Sequence, residues 1–134
     1  MCIRDSTRVF VEDIRRGFNN VTLERYPWME EIGNTEWKGV LALGMGGSAA
    51  GGDFLSALCN LKGKVPVVVQ RDYVIPSWWD EKWLVISTSH SGNTEEAIEA
   101  TEIVLKAGAT VIVISTGGIL SGLAELHYLS LIHI

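Results

Sequence analysis

Apolar positions change their period along this chain. Phe10, Ile14, Phe18 and Val21 recur at helical spacing with Glu12, Asp13, Arg15 and Arg16 between them, which predicts an amphipathic helix over residues 8–20. Tyr26-Pro27 ends that pattern, because a residue before proline avoids the helical region. Trp28 to Ile32 reads as a short second helix and Gly33-Asn34-Thr35 as a turn. Beyond it, unbroken apolar runs replace the helical spacing. Val40 to Leu43, Val65 to Val69, Trp83 to Ser87 and Val111 to Ile114 read as strands buried on both faces. Between them, small residues from Ala49 to Gly52 lead a helix to about Cys59. Another helix runs from Glu95 to Ala107, with Ala97, Ile98, Thr101, Val104 and Leu105 as its inner stripe and Gly108 as its stop. Thr116-Gly117-Gly118 opens a further helix. Buried strands alternating with helices, without hairpin signals, predict a doubly wound α/β fold with a mostly parallel sheet and helices on both faces.

In such a sheet, ligands sit beyond the carboxyl ends of the strands. Two strand-ending loops here suit an anion. In Gly44-Met45-Gly46-Gly47-Ser48, glycines let backbone N–H groups approach an oxyanion, the next helix points its positive end at the loop, and Ser48 adds a hydroxyl. Ser89-His90-Ser91-Gly92-Asn93-Thr94 brings three hydroxyls, a glycine and an amide to another helix start. Thr94 fits the N-cap of that helix, and Glu95 and Glu96 favour its positive end. Neither loop carries Lys or Arg, and the Gly-Lys-Ser/Thr ending of a P-loop is absent. Hydroxyls and amides suit a phosphate monoester that must be released again.

The same residues carry a family resemblance. Gly44 to Asp53 and Ser89 to Glu96 resemble the signature loops of the sugar isomerase (SIS) domain. The Gly-Met-Gly-Gly-Ser run followed by Gly51-Gly52-Asp53 is most similar to the bifunctional phosphoglucose/phosphomannose isomerases, and Ser115 to Leu120 resembles their next segment. The resemblance covers roughly Val40 to Glu125. It implies an SIS-type, Rossmann-like three-layer sandwich, here truncated, from a parent with two SIS domains that forms a homodimer. It implies reversible isomerisation of glucose 6-phosphate or mannose 6-phosphate with fructose 6-phosphate through an enediol, without metal or other cofactor. Carried over by position, Gly47, Ser48, Ser89, Ser91 and Thr94 hold the sugar phosphate. The family's catalytic Arg, Glu and His come later than this sequence extends, so no catalytic residue is assigned and the chain by itself is expected to be inactive. The last strand of the first domain is likewise expected to be missing, leaving an unpaired sheet edge.

Two other readings use the same loops. Gly44 to Ala49 fits the loose G-x-G-x-x-A fingerprint of an NAD-binding dehydrogenase, with Asp72 where a ribose-binding acid sits, but this leaves the hydroxyl cluster at Ser89 to Thr94 unexplained. An SIS sensor of a transcription regulator binds sugar phosphate without turnover, but residues 7–39 show no basic recognition helix. His90 reads as a loop histidine bonded to backbone, and Glu95 as a helix-end charge. Trp78 and Trp79 precede the third strand, at its amino end, and read as core or interface packing rather than sugar stacking.

Bulk properties narrow the setting. With 134 residues, 47% hydrophobic and 20% charged, one domain at most is expected, and a net charge of -5 without a basic stripe excludes a nucleic-acid partner. No apolar run approaches the ~20 residues of a membrane helix. Cys2 and Cys59 form neither a disulfide framework nor a metal set, which suits the cytoplasm; Cys59 reads as a buried small hydrophobe. The ends form a separate pattern. Met-Cys-Ile-Arg-Asp-Ser back-translates to a string whose reverse complement encodes Leu-Ser-Leu-Ile-His, and the chain closes on Leu129 to Ile134 with that wording. The shared element resembles the mosaic end of a library-preparation transposase. Residues 1–6 and 129–134 are therefore expected to be adapter-encoded, leaving 7–128 as part of a first SIS domain and no function for Cys2, His127 or His133.

Overall fold

The strands form where apolar runs leave no polar face to solvate. A computed structural model describes residues 26–72, 74–126 and 130–133; the helix expected over 8–20, with Cys2 and His127, lies outside them. Two units divide the chain, Met1–Gly33 and Asn34–Ile134. In the first, Tyr26 and Trp28 stack with ring centroids 5.4 Å apart, just where α1 (Trp28–Asn34) begins.

The second unit is built on a five-stranded sheet. In chain order it runs β1 (Gly39–Leu43), α2 (Gly47–Lys62), β2 (Val67–Gln70), β3 (Trp83–Ser89), α3 (Glu95–Lys106), β4 (Val111–Ser115), α4 (Gly118–Leu126) and β5 (Ser130–His133). All pairings are parallel and the spatial order is β2-β1-β3-β4-β5. The chain therefore winds outward in one direction from β1 and in the other from β3. The reversal of strand order falls between these two neighbours.

Successive residues of a strand face opposite sides, and the two sides are covered differently. Leu41, Leu43, Val85, Val111 and Val113 pack with Ala100 and Val104 of α3 and Leu120 and Ala124 of α4. Each such Leu or Val contributes about 1.5–3 kcal/mol by leaving water. Within this layer the buried Ser87 and Thr101 hydroxyls lie 2.8 Å apart, and Thr101 donates onward to the Ala97 carbonyl. The pair thus satisfies itself inside apolar surroundings. On the opposite side α2 lies against β1 and β2. Gly52 makes that approach possible: a Cβ there would lie 3.0 Å from the Ala42 Cβ and 3.2 Å from Val69.

The elements follow the sequence reading closely, with three corrections. The sheet gains a fifth strand, because Ser130–His133 pairs with β4, Ile112 opposite Ser130 through Ser115 opposite His133. Leu131 and Ile132 are apolar, strand-compatible residues, and β5 in turn forms the edge of the sheet on this side. Helix α2 starts at Gly47, inside the glycine loop, and reaches Lys62 rather than ending near Cys59. Cys59 is only half-buried on it.

At the amino end of the sheet Gly39 lies opposite Trp83 in register. A Cβ at Gly39 would stand 2.3 Å from the Trp83 ring, so only glycine leaves room for the indole. Trp83 in turn meets Trp78 at 4.8 Å between centroids, and Trp79 packs against the core. Trp79 thus takes a core-packing role, and Trp78 rests on Trp83 while staying exposed. Nearby, Lys38 is paired with Asp80. That hydrogen bond, seconded by the Lys82 backbone N–H, holds the Asp80 carboxyl below its ordinary value against a partial desolvation.

Candidate functional site

The two anion-suited loops leave adjacent strands on one edge of the sheet. Leu43 ends β1 opposite Ser87, and β3 runs on to Ser89. The Gly44–Ser48 and Ser89–Thr94 loops therefore flank the crevice at the reversal of strand order, where open α/β sheets bind ligands. Adjacent strands stand roughly 4.8 Å apart, so the two loops start side by side.

The first loop is a tight turn. The Gly44 N–H bonds the Gln70 carbonyl at 3.2 Å, which ties the loop to the end of β2. Gly46 has φ 54°, a left-handed conformation that favours glycine. The Ser48 N–H closes on the Met45 carbonyl at 3.0 Å, and the Ala49 N–H on Gly46 at 3.1 Å. These bonds occupy the Ser48 and Ala49 amides. What faces the crevice is the segment before Ser48, together with Gly47, exposed at the first turn of α2, and the half-buried Ser48 side chain. No side chain caps the start of α2; with the Ser48 and Ala49 N–H groups taken, it is the positive end of the helix that is offered to an anion.

The second loop is held by its own hydroxyls. Ser89 is 1% exposed, and its Oγ accepts the Gly92 N–H at 3.1 Å and lies 2.9 Å from Thr94 Oγ1. Ser91 is exposed and its Oγ accepts the Asn93 N–H at 3.2 Å. Thr94 occupies the N-cap position of α3, as expected, but makes no side-chain cap bond; its hydroxyl turns to Ser89 instead. Helix α3 thus also starts uncapped, with Glu95 and Glu96 in its first turn. The five expected ligand residues are split by these bonds. Gly47 and Ser48 stand on one side of the crevice, and Ser89, Ser91 and Thr94 on the other, with Ser89 buried beneath Thr94.

A third loop, after β4, carries residues that the sequence reading left without a role. The Thr116 N–H bonds the His90 carbonyl at 3.1 Å, and the Thr116 hydroxyl donates to the same oxygen. The Leu120 N–H bonds the Gly92 carbonyl at 2.9 Å, and the Ile119 N–H bonds Asn93 Oδ1 at 3.1 Å. The start of α4 is therefore closed by acceptors from the serine loop. Of the three helices that begin on this edge, α2 and α3 start without a side-chain cap, and α4 is closed by the serine loop. The sequence signal was Thr116-Gly117-Gly118 itself: Gly117 and Gly118 both have positive φ. His90 contributes its carbonyl to this contact while its side chain is exposed.

A cation also stands near the first loop, although neither loop contains one. Arg71 directly follows the Gln70 that holds Gly44, and it pairs with Asp53 of α2. Asp72 accepts the Val74 N–H at 3.0 Å and a bond from Gln70, so its carboxylate is occupied in a local turn. A mostly apolar cavity of about 260 Å³ under α2 is lined by Ala42, Leu55, Val69, Ile86 and Ile114, together with Ser48 and Thr88. Its apolar walls suit hydrocarbon rather than a phosphate, which keeps the polar site at the loops. Among the described residues no group of His, Cys, Asp and Glu is placed to hold a metal ion, and no helix is long and apolar enough to cross a membrane.

No protein-family model matches the chain. It is 49% identical over 86 residues to the bifunctional phosphoglucose/phosphomannose isomerase of Caldicellulosiruptor bescii, covering 64% of this chain and 25% of that protein. It is 34% identical over 111 residues to the protein of the same name from Aquifex aeolicus, covering 81% of this chain and 33% of that protein. The chain thus spans about a quarter to a third of the length of the curated relatives it matches. In fold it is similar to the crystal structure of tagatose-6-phosphate ketose/aldose isomerase from Escherichia coli, with a TM-score of 0.61 at 23% identity over 88% of this chain and 33% of that one. The resemblance drawn from the two loops is borne out by these relatives, and the α/β parallel fold by the structural neighbour.

Proposed function

We propose that this chain is the sugar-phosphate-binding part of an aldose–ketose isomerase that interconverts glucose 6-phosphate or mannose 6-phosphate with fructose 6-phosphate. The observation that carries this reading is the pair of uncapped helix starts, α2 and α3, whose loops flank the strand-order reversal between β1 and β3. In this reading Gly47 and Ser48 hold the phosphate from one side, and Ser91 and Thr94 from the other. Ser89 acts one bond further back. Its Oγ accepts the Gly92 N–H and shares a hydrogen bond with Thr94 Oγ1; in this reading Ser89 is the donor of that bond once ligand is bound, and the Thr94 proton goes to a phosphate oxygen. Such a chain of donors polarises along its length.

The chemistry needs a proton moved between neighbouring carbons of the sugar, which requires a base within hydrogen-bond reach of the carbon-bound proton. No residue here is assigned that role. This chain's residues bind and orient; in the proteins it resembles, the catalytic Arg, Glu and His come later in sequence. The whole protein is proposed to be a cytoplasmic homodimer that uses no metal or other cofactor. Residues 1–6 and 129–134 are proposed to be adapter-encoded, which differing codons at the two ends of the nucleotide record would refute.

The test is a thermal melt with fructose 6-phosphate and, in parallel, with NAD. The expected result is a higher Tm with the sugar phosphate alone. A Ser89→Ala/Thr94→Ala variant is expected to lose most of that shift while still melting cooperatively. A shift with NAD alone would replace this reading by a dinucleotide-binding one.

A further inference from the structure

Resting on the sugar-phosphate reading, we propose that Asn93 is a positioning residue: it sets the serine loop by docking on α4 and does not touch the ligand. Helix starts leave backbone N–H groups without intrahelical partners. In α4 two of these are taken by the serine loop, Ile119 by Asn93 Oδ1 at 3.1 Å and Leu120 by the Gly92 carbonyl at 2.9 Å. Asn93 uses its other side as well, since its own N–H is held by Ser91 Oγ at 3.2 Å. One residue therefore joins a rigid helix to a hydroxyl assigned to the phosphate.

The contact has no slack in which the loop could settle otherwise. A Cβ on Gly92 would lie 1.7 Å from the Gly117 carbonyl oxygen, and one on Gly118 would lie 2.5 Å from the Ser91 carbonyl oxygen and 2.7 Å from Asn93 Oδ1. Backbone meets backbone at both glycines, so the loop takes its shape from α4. Asn93 is exposed, and truncating it opens no hole in the core. A binding defect in such a variant reports on the loop rather than on packing.

The experiment breaks the same bond from each end. Asn93→Ala removes the acceptor. Ile119→Pro removes the donor in the first turn of α4, where proline is tolerated, at a residue outside the assigned ligand set. Fructose 6-phosphate affinity is measured by calorimetry for wild type, both single variants and the double variant. Each single change is expected to weaken binding about fivefold, the effect of one lost hydrogen bond, and the double change no further than either. Wild-type affinity in Ile119→Pro beside weak binding in Asn93→Ala overturns the proposal and makes Asn93 a direct ligand; additive losses overturn it too.

A second variant covers the case in which Ile119→Pro does not fold. Asn93→Asp keeps an acceptor at the positive end of α4, so its ligand-free Tm is expected to match or exceed wild type while that of Asn93→Ala falls. A Tm for Asn93→Asp no higher than for Asn93→Ala overturns the tie. A wild-type chain that does not respond to fructose 6-phosphate overturns the ligand reading instead, and the ligand-free melts still decide whether Asn93 holds the loop to α4.

Discussion

Gly92 combines a φ of 72° with a neighbour at 1.7 Å from any added Cβ, and both facts fall on a backbone oxygen that cannot rotate away. Gly92→Ala is expected to cost on the order of 2–4 kcal/mol, from left-handed strain and a forced separation of the two loops. Urea unfolding of the variant measures it; a loss under about 1 kcal/mol would mean that the loops part easily. Much of the site at this scale was legible as residue types. Ser48, Ser89, Ser91 and Thr94 stood out because hydroxyls beside glycines at strand ends suit an anion. Their directions were not legible. That Thr94 turns from its cap position to Ser89, or that the Ser48 N–H closes on Met45, depends on bond geometry that residue identity does not encode. Asn93 was visible as one amide among several donors; its actual partner lies 26 residues away, beyond any local pattern.

Among the elements, α2 departs most from what its burial requires. It packs through Ala49 and Gly52, and it turns Phe54, Leu58 and Leu61 outward with exposures of 73%, 45% and 81%. These positions recur at i, i+4 and i+7, so they form one ridge. Phe54→Lys/Leu61→Lys is expected to change unfolding free energy by no more than about 0.5 kcal/mol, since little apolar area leaves the core. Chemical denaturation tests this, and a larger loss would show that the ridge is packed in solution. The strands β1 to β4 were legible because each opens on an unbroken apolar run, which a sheet covered on both faces requires; the polar ends of β2, β3 and β4 were not. β5 was not, because Leu131 and Ile132 occupy a terminus that the reading had set aside, and a strand of four residues gains its identity from the neighbour it pairs with.

For the molecule as a whole, the division of labour is the main expectation. The proposed binding residues lie on the loops between β1 and α2 and between β3 and α3, and no residue here is proposed to move the substrate proton. The chain is expected to bind fructose 6-phosphate without isomerising it. Turnover above that of the Ser89→Ala/Thr94→Ala control, followed by product assay, would contradict this. The parallel sheet itself was legible from alternation of strand and helix, and the strand-order reversal between β1 and β3 followed only once register was known. The closure of α4 by the serine loop has a consequence in time rather than in space. A helix start whose acceptors come from 26 residues upstream cannot be completed by local coiling. The loop proposed to receive the anion is therefore expected to be finished only when β4 has zipped onto β3 and α4 has docked. Its formation carries the entropy of closing that long segment, so ligand competence is acquired late in folding and is the first property lost when the β4–α4 end frays.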